Sequence, residues 1–196
     1  MRRAAGAARK PTRDAIVDSA ERAILLNGYK SLNFRDIASE VGIKSSSVHY
    51  HFPTKGDLSA EVMRRYRNDF ASRLEDPKHE PKAAQAALNA FIDGFKDQVV
   101  GFDNMSLCVV LSAEKNLLDE ATRVELRAFY DLKLDWLSKV VSAIAAGTFS
   151  QGECDRYACK ILASLHGASV LVKATGDTGL FELSVEHWRD LLTRIR

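Results

Sequence analysis

Apolar residues recur at three- and four-residue intervals along almost the whole chain, the spacing of amphipathic helices, and no alternating stretch is long enough to support a sheet. The first helix is predicted to start at Thr12, whose hydroxyl suits free helix amides, with Asp14 in the first turn. Its inward face is Ile16, Val17, Ala20, Ala23, Ile24 and Leu25, and Asn27-Gly28 ends it. A second helix runs from Asn33 through Ile37 and Ala38 to Val41, with Asp36 at capping-box spacing and Gly42 as its stop. Only Gly42, Ile43 and Lys44 separate it from a third, Ser45 to about His51. That helix is too short to stand alone and must be held by packing. Pro53 closes it, and Thr54 with Asp57 caps a fourth helix carrying Leu58, Val62, Tyr66 and Phe70 on one face.

Around Glu75 to Lys82 the sequence turns polar and holds Pro77 and Pro81, the natural boundary between parts. Five further helices are predicted beyond it: about Pro81 to Val100, Asn104 to Leu117, Asp119 to Ala146, Glu153 to Thr175 and Ser184 to Ile195. Gly101, Gly147, Gly152, Gly176 and Gly179 mark the breaks. The fold class is therefore all-α, without repeats or low-complexity tracts. The expected division is a helix-turn-helix domain over 1–54 with a basic arm at 1–11, a connecting helix and linker over 55–80, and a second helical domain over 81–196.

Composition narrows the class. Apolar residues make up 46% of the chain, enough for a real core and too many for a disordered one. The uncharged run from Ile161 to Val172 contains His166, Gly167 and Ser169 and is too short to span a bilayer. Residues 1–10 carry Arg2, Arg3, Arg9 and Lys10 without an apolar h-region, so no secretory signal and a cytoplasmic location are expected. Three cysteines are an odd number; Cys154 and Cys159 fall on different helix faces, and Cys-x-x-Cys is absent. They read as small apolar core residues in a reducing compartment. Residues 1–75 hold 14 Lys and Arg against 9 Asp and Glu, a balance of +5, whereas 76–196 hold 14 against 17, a balance of −3. Such asymmetry points to an N-terminal part that meets a polyanion.

Two short helices joined by a three-residue turn with glycine form a helix-turn-helix. The major groove is about 12 Å wide, so one helix fits while the others set its angle. Ala38 is small where the two helices cross closely, Gly42 relieves the turn, and Ile43 and Val48 fill the space beneath. The ordered pattern is Asn27-Gly28-Tyr29, Asp36-Ile37-Ala38, Val41-Gly42-Ile43 and His51-Phe52-Pro53-Thr54-Lys55. On these residues the segment from Thr12 to Tyr66 resembles the DNA-binding domain of the TetR family of bacterial repressors. The rest of the chain resembles that family in length and helical character only.

The resemblance implies a dimeric repressor that binds a palindromic operator in double-stranded DNA and is released by a small-molecule inducer. Carried over by position, Arg35 reaches a base or phosphate, and Lys44 stands beside the exposed first turn Ser45, Ser46 and Ser47 of the recognition helix. His49, Tyr50 and His51 face the backbone and groove walls, and Lys55 clamps a phosphate at a positive helix end. Many members have lysine at the position of Ser45 and tyrosine at that of His49, which shifts the expected base choice toward Arg35, Ser47 and Tyr50. Plainer readings stand beside these: serines as a polar helix start, Arg35 and Lys55 as solvated charges, and Arg2, Arg3, Arg9, Lys10 and Arg13 as a solubilising tail or a minor-groove arm.

For the second domain the resemblance implies a ligand site and a dimer interface. Tyr157, Ile161, Leu165 and Ala168 with Trp188, Leu191, Leu192 and Ile195 suit a four-helix interface, eased by Ala163, Ser164 and Gly167. The same faces could instead bury within one subunit. Phe91, Phe95, Met105, Cys108, Leu111, Phe129, Trp136 and His166 are the candidate pocket walls, although an apolar stripe is more often core. Cys108 reads equally as packing, pocket wall or thiol sensor, and His166 as a satisfied core histidine or a ligand contact. No Ser-His-acid order, glycine-rich phosphate loop or metal-spaced cluster occurs, so no catalytic residue, cofactor or metal is expected. The competing readings are an activator, a regulator answering to a protein partner, and a helical adaptor without DNA binding.

Overall fold

A computed structural model describes residues 12–77 and 79–195, and among these all regular structure is helical. The order is α1 (Thr12–Asn27), α2 (Phe34–Val41), α3 (Ser45–His51), α4 (Lys55–Ala71), α5 (Pro81–Lys96), α6 (Leu107–Ala113), α7 (Glu120–Ala145), α8 (Gln151–Thr175), α9 (Gly179–Arg189) and α10 (Leu191–Arg194). A 3-10 turn at Tyr29–Ser31 links α1 to α2, and another at Lys115–Leu117 follows α6. The basic arm expected at residues 1–11 lies outside the described residues.

The first four helices lie where the periodicity puts them. Thr54 and Asp57 form a reciprocal cap at α4, the hydroxyl accepting from the Asp57 amide at 3.1 Å and the carboxylate from the Thr54 amide at 3.0 Å. At α2 the cap is one-sided: the Asn33 side chain accepts from the Arg35 amide at 2.8 Å. Later boundaries differ. The stretch expected to stay α-helical to Val100 becomes a π turn at Asp97–Gly101. Residues 104–117 yield only the short α6 and its 3-10 turn, because Ser106 is extended. The last segment starts earlier, at Gly179, where the Asp177 carboxylate accepts the Gly179 amide at 2.9 Å and fully buried Phe181 anchors the first turn. Gly152 does not break α8, since the Glu153 carboxylate accepts from both the amide and the hydroxyl of Ser150 at 2.8 Å.

Two apolar clusters organise the molecule. One gathers Ile16, Ile24, Tyr29, Ile37, Val48, Phe52, Leu58 and Val62 from the N-terminal helices. It also takes in Leu107, Cys108 and Leu111 of α6 and Leu126 and Phe129 of α7. The other joins α5 and the later part of α7 to α8, α9 and Leu191. Phe70 and Tyr130 pack against both. Each large buried side chain contributes about 1.5–3 kcal/mol, so α6 and the start of α7 are bound to the N-terminal unit by burial. Among the described residues no helix is long and apolar enough to cross a membrane.

Candidate functional site

The helix-turn-helix is set by a short run of local bonds. Gly42 is left-handed (φ 74°), and the Ile43 amide returns to the Ala38 carbonyl at 2.9 Å, so α2 ends and the chain turns at once into α3. Ile37, Ala38, Val48 and Phe52 are buried beneath the turn. Charge pairs brace this arrangement. Glu40 accepts from Ser19 at 2.6 Å and pairs with Arg22 at 2.5 Å, tying α2 to α1. Arg65 pairs with Asp18 at 2.6 Å and Glu21 at 2.7 Å, tying α4 to α1.

With its inner side held by Val48, α3 turns the other side outward. Lys44, Ser46, His49 and Tyr50 are exposed, Tyr50 at 85%, while Ser45, Ser47 and His51 are half-buried. Arg35 is exposed in the first turn of α2. His49 leans edge-on against Phe34, with ring centroids 4.7 Å apart. No acidic residue occurs between Val41 and His51, so the turn and α3 carry no charge that repels a phosphate backbone, while Asp36 is exposed beside Arg35 on α2. Lys55, half-buried at the head of α4, turns toward the link between α1 and α2. Its ammonium donates to the Lys30 carbonyl at 3.3 Å and lies 4.2 Å from the Tyr29 ring centre, and burial lowers its pKa.

A second group of residues, unsuspected from the sequence, joins this unit to the rest. The Glu114 carboxylate accepts from the Tyr29 amide and, at 3.4 Å, from the Lys30 amide. Asp119 accepts from the Tyr29 hydroxyl at 2.9 Å, and Ser59 bonds Thr122 at 2.6 Å in the interior. A Cβ at Gly56 would come within 2.6 Å of Asp119, so only glycine lets α4 approach so closely. Burial, then the Asp119 bond, pushes the Tyr29 phenol up to about 12. These partners lie 85 and 90 residues apart along the chain, beyond the reach of any local pattern.

Between α4, α5 and α7 lies a cavity of about 950 Å³, within the range of small-molecule sites. Phe91, Phe95, Phe129 and Trp136 of the candidate walls line it. Four other candidates do not. Cys108 and Leu111 are fully buried in the N-terminal cluster, because α6 faces α1 and α4. Met105 packs on the other cluster, and His166 stands behind Lys133, its Nε2 3.1 Å from the ammonium. Burial, then the Lys133 charge, pulls the His166 pKa down to about 3. Lys133 is the charged residue deep in the cavity lining that the sequence reading passed over, along with Tyr66, Phe70 and the alanines of α5. Its signal was present: it interrupts the α7 stripe Leu126, Phe129, Trp136 and Val140 at helical spacing.

The expected dimer contacts need correction. Ile161, Leu165, Ala168, Trp188 and Leu191 are buried inside their own subunit, and Tyr157, Leu192 and Ile195 are partly buried against the same core. The outward face of α8 instead carries Ala163, Gly167, Val170 and Leu171, and α9 exposes Leu183. Periodicity located the helices and their apolar faces, but an apolar stripe does not say which neighbour covers it, and most of this one is covered by its own subunit. Among the described residues no group of three His, Cys, Asp or Glu could hold a metal ion.

The model of the bacterial regulatory proteins of the tetR family matches residues 16–62. The HTH-type transcriptional repressor ComR of Escherichia coli K12 is 27% identical over 109 residues, and the match spans about half of each protein, 52% of this chain and 52% of that one. Among solved structures, a TetR transcriptional regulator from Legionella pneumophila superposes with a TM-score of 0.79 at 24% identity, over 96% of this chain and 98% of that one. A TetR-family regulator from Agrobacterium tumefaciens gives 0.77 at 28% identity, over 94% and 97%. NemR of E. coli in its reduced form gives 0.77 at 20% identity, over 90% and 94%.

Proposed function

We propose that this chain, which belongs to the TetR family of bacterial regulatory proteins and is thus a DNA-binding transcriptional regulator and not an enzyme, acts as a dimeric repressor that binds a palindromic operator and is released when a small molecule fills its cavity. One observation carries the reading: the same helix serves both ends. α7 lends Phe129, Lys133 and Trp136 to the cavity. At its start, Thr122 and the adjoining Asp119 hold Ser59 and Tyr29 of the DNA-binding unit. A ligand that shifts α7 therefore shifts the platform on which α3 stands. Release follows if the ligand prefers the shifted state; a ligand binding both states equally would change nothing.

The repressor sign is favoured by the name of the E. coli relative. The apolar outer face of α8 and α9, with Val170, Leu171 and Leu183, suits a two-fold contact with a second copy. Two copies place two α3 helices on half-sites about 34–36 Å apart, one turn of the duplex, or a multiple of that spacing. A regulator of this kind works where the genome is, in the cytoplasm. Selection of bound fragments from random duplex DNA by the full chain tests the reading. An enriched inverted repeat is expected; an enriched single half-site without symmetry, or no enrichment, contradicts it.

A further inference from the structure

The cavity has an unusual charge. Beside Phe91 and Phe95, α5 lines it with the small residues Ala83, Ala86, Ala87, Ala90 and Gly94, and a Cβ at Gly94 would meet nothing within 4 Å. These small residues leave the room, while Phe91 and Trp136, stacked with centroids 5.0 Å apart, form an aromatic wall. Into this apolar space comes Lys133, only 1% exposed. Its ammonium meets Cys108 Sγ at 3.4 Å and His166 Nε2 at 3.1 Å, and lies 4.5 Å and 4.6 Å from the Phe129 and Tyr130 ring centres. Among the described residues no carboxylate pairs with it, whereas Arg65, Arg67, Lys96 and Arg189, all more exposed, each have one. A lysine cation removed from water without a counter-anion is strongly unfavourable. Burial indeed lowers its pKa. Three donors are available, and neither acceptor present carries a carboxylate's charge.

We propose that the cavity binds an amphipathic organic anion, with its carboxylate or comparable head on Lys133 and its apolar body along the alanine face of α5 against Phe91 and Trp136. The assignment rests on the reading of this cavity as the effector site. The acidic groups around the opening, Glu75, Asp76 and Asp97, are exposed, as is Arg73, and salt screens them. Lys133, out of water, is not screened in this way.

The test is calorimetric titration of the full chain with 1-naphthaleneacetate and its neutral isostere 1-naphthaleneacetamide. The acid should bind at least about tenfold more tightly than the amide, as expected for a charge-assisted bond in a dry site. Lys133→Met should bring the two affinities together, and Lys133→Arg should keep the preference. Lys133→Met should also raise the melting temperature of the unliganded protein, because it removes an uncompensated charge. Equal affinities in the unmodified chain, binding of neither probe, or a preference that survives Lys133→Met overturns the assignment. Gly94→Leu separates the two readings. If both probes bind equally and Gly94→Leu removes both, the cavity stands as the site and only the anion falls. If Gly94→Leu leaves both untouched, the cavity reading falls.

Discussion

Arg35 stands exposed at the head of α2 with its amide held by Asn33, and no carboxylate pairs with its guanidinium among the described residues. A guanidinium placed so is free to read a base edge. Arg35→Ala should weaken operator binding about tenfold or more while changing affinity for random duplex far less, since a bidentate base contact discriminates by about 1–3 kcal/mol. Equal losses on both would make it a phosphate contact. His166 offers a prediction in pH. Its pKa of about 3 lies below the ordinary 6.5, so as pH falls between these values the unfolded chain takes a proton that the fold refuses. Its contribution to stability is therefore complete above 6.5 and declines toward 3. In the folded protein its ring proton resonances should not move between pH 7 and 5; a titration there contradicts the buried contact with Lys133. Residues of the recognition surface were legible because their motif is local. Lys133 was legible only as a break in a stripe; Cys108 and His166 stood out as candidates, but their meeting with Lys133 from other helices was not legible.

At the scale of elements, the first four helices could be read closely, since caps, a turn glycine and periodicity agree there. The C-terminal helices were legible in number more than in boundary. Gly152 and Gly179 sit in first turns that side-chain bonds and buried Phe181 hold helical, so tertiary contacts overrode local punctuation. The coupling between units could not be read at all, because Glu114 grips Tyr29 across 85 residues. That grip makes a prediction. Glu114→Ala leaves the Tyr29 and Lys30 amides without their acceptor and frees the DNA-binding unit from the end of α6. It should lower the melting temperature by an amount equivalent to about 1–3 kcal/mol. It should also reduce any effect of a cavity ligand on operator affinity. Full ligand response in a folded Glu114→Ala protein would show that coupling runs elsewhere.

The whole molecule joins an outward recognition helix to an open-mouthed cavity through α6 and α7, on a chain whose exposed apolar face on α8 and α9 suits a second copy. Leu171→Arg should yield a monomer in sedimentation, with operator affinity reduced at least about tenfold because one half-site is lost; an intact dimer would place the interface elsewhere. Ligand and operator should weaken each other by the same factor, as linkage requires. All of this depends on α3 meeting the duplex with its serine-led outer side. Titration of the selected operator with the chain and with Ser46→Glu, at several salt concentrations, tests that most directly. The added carboxylate should cost at least about tenfold in affinity with the melting temperature unchanged, while binding by the unmodified chain falls with salt at a slope near 0.9 per phosphate contacted. Operator affinity unaltered by Ser46→Glu would contradict the account.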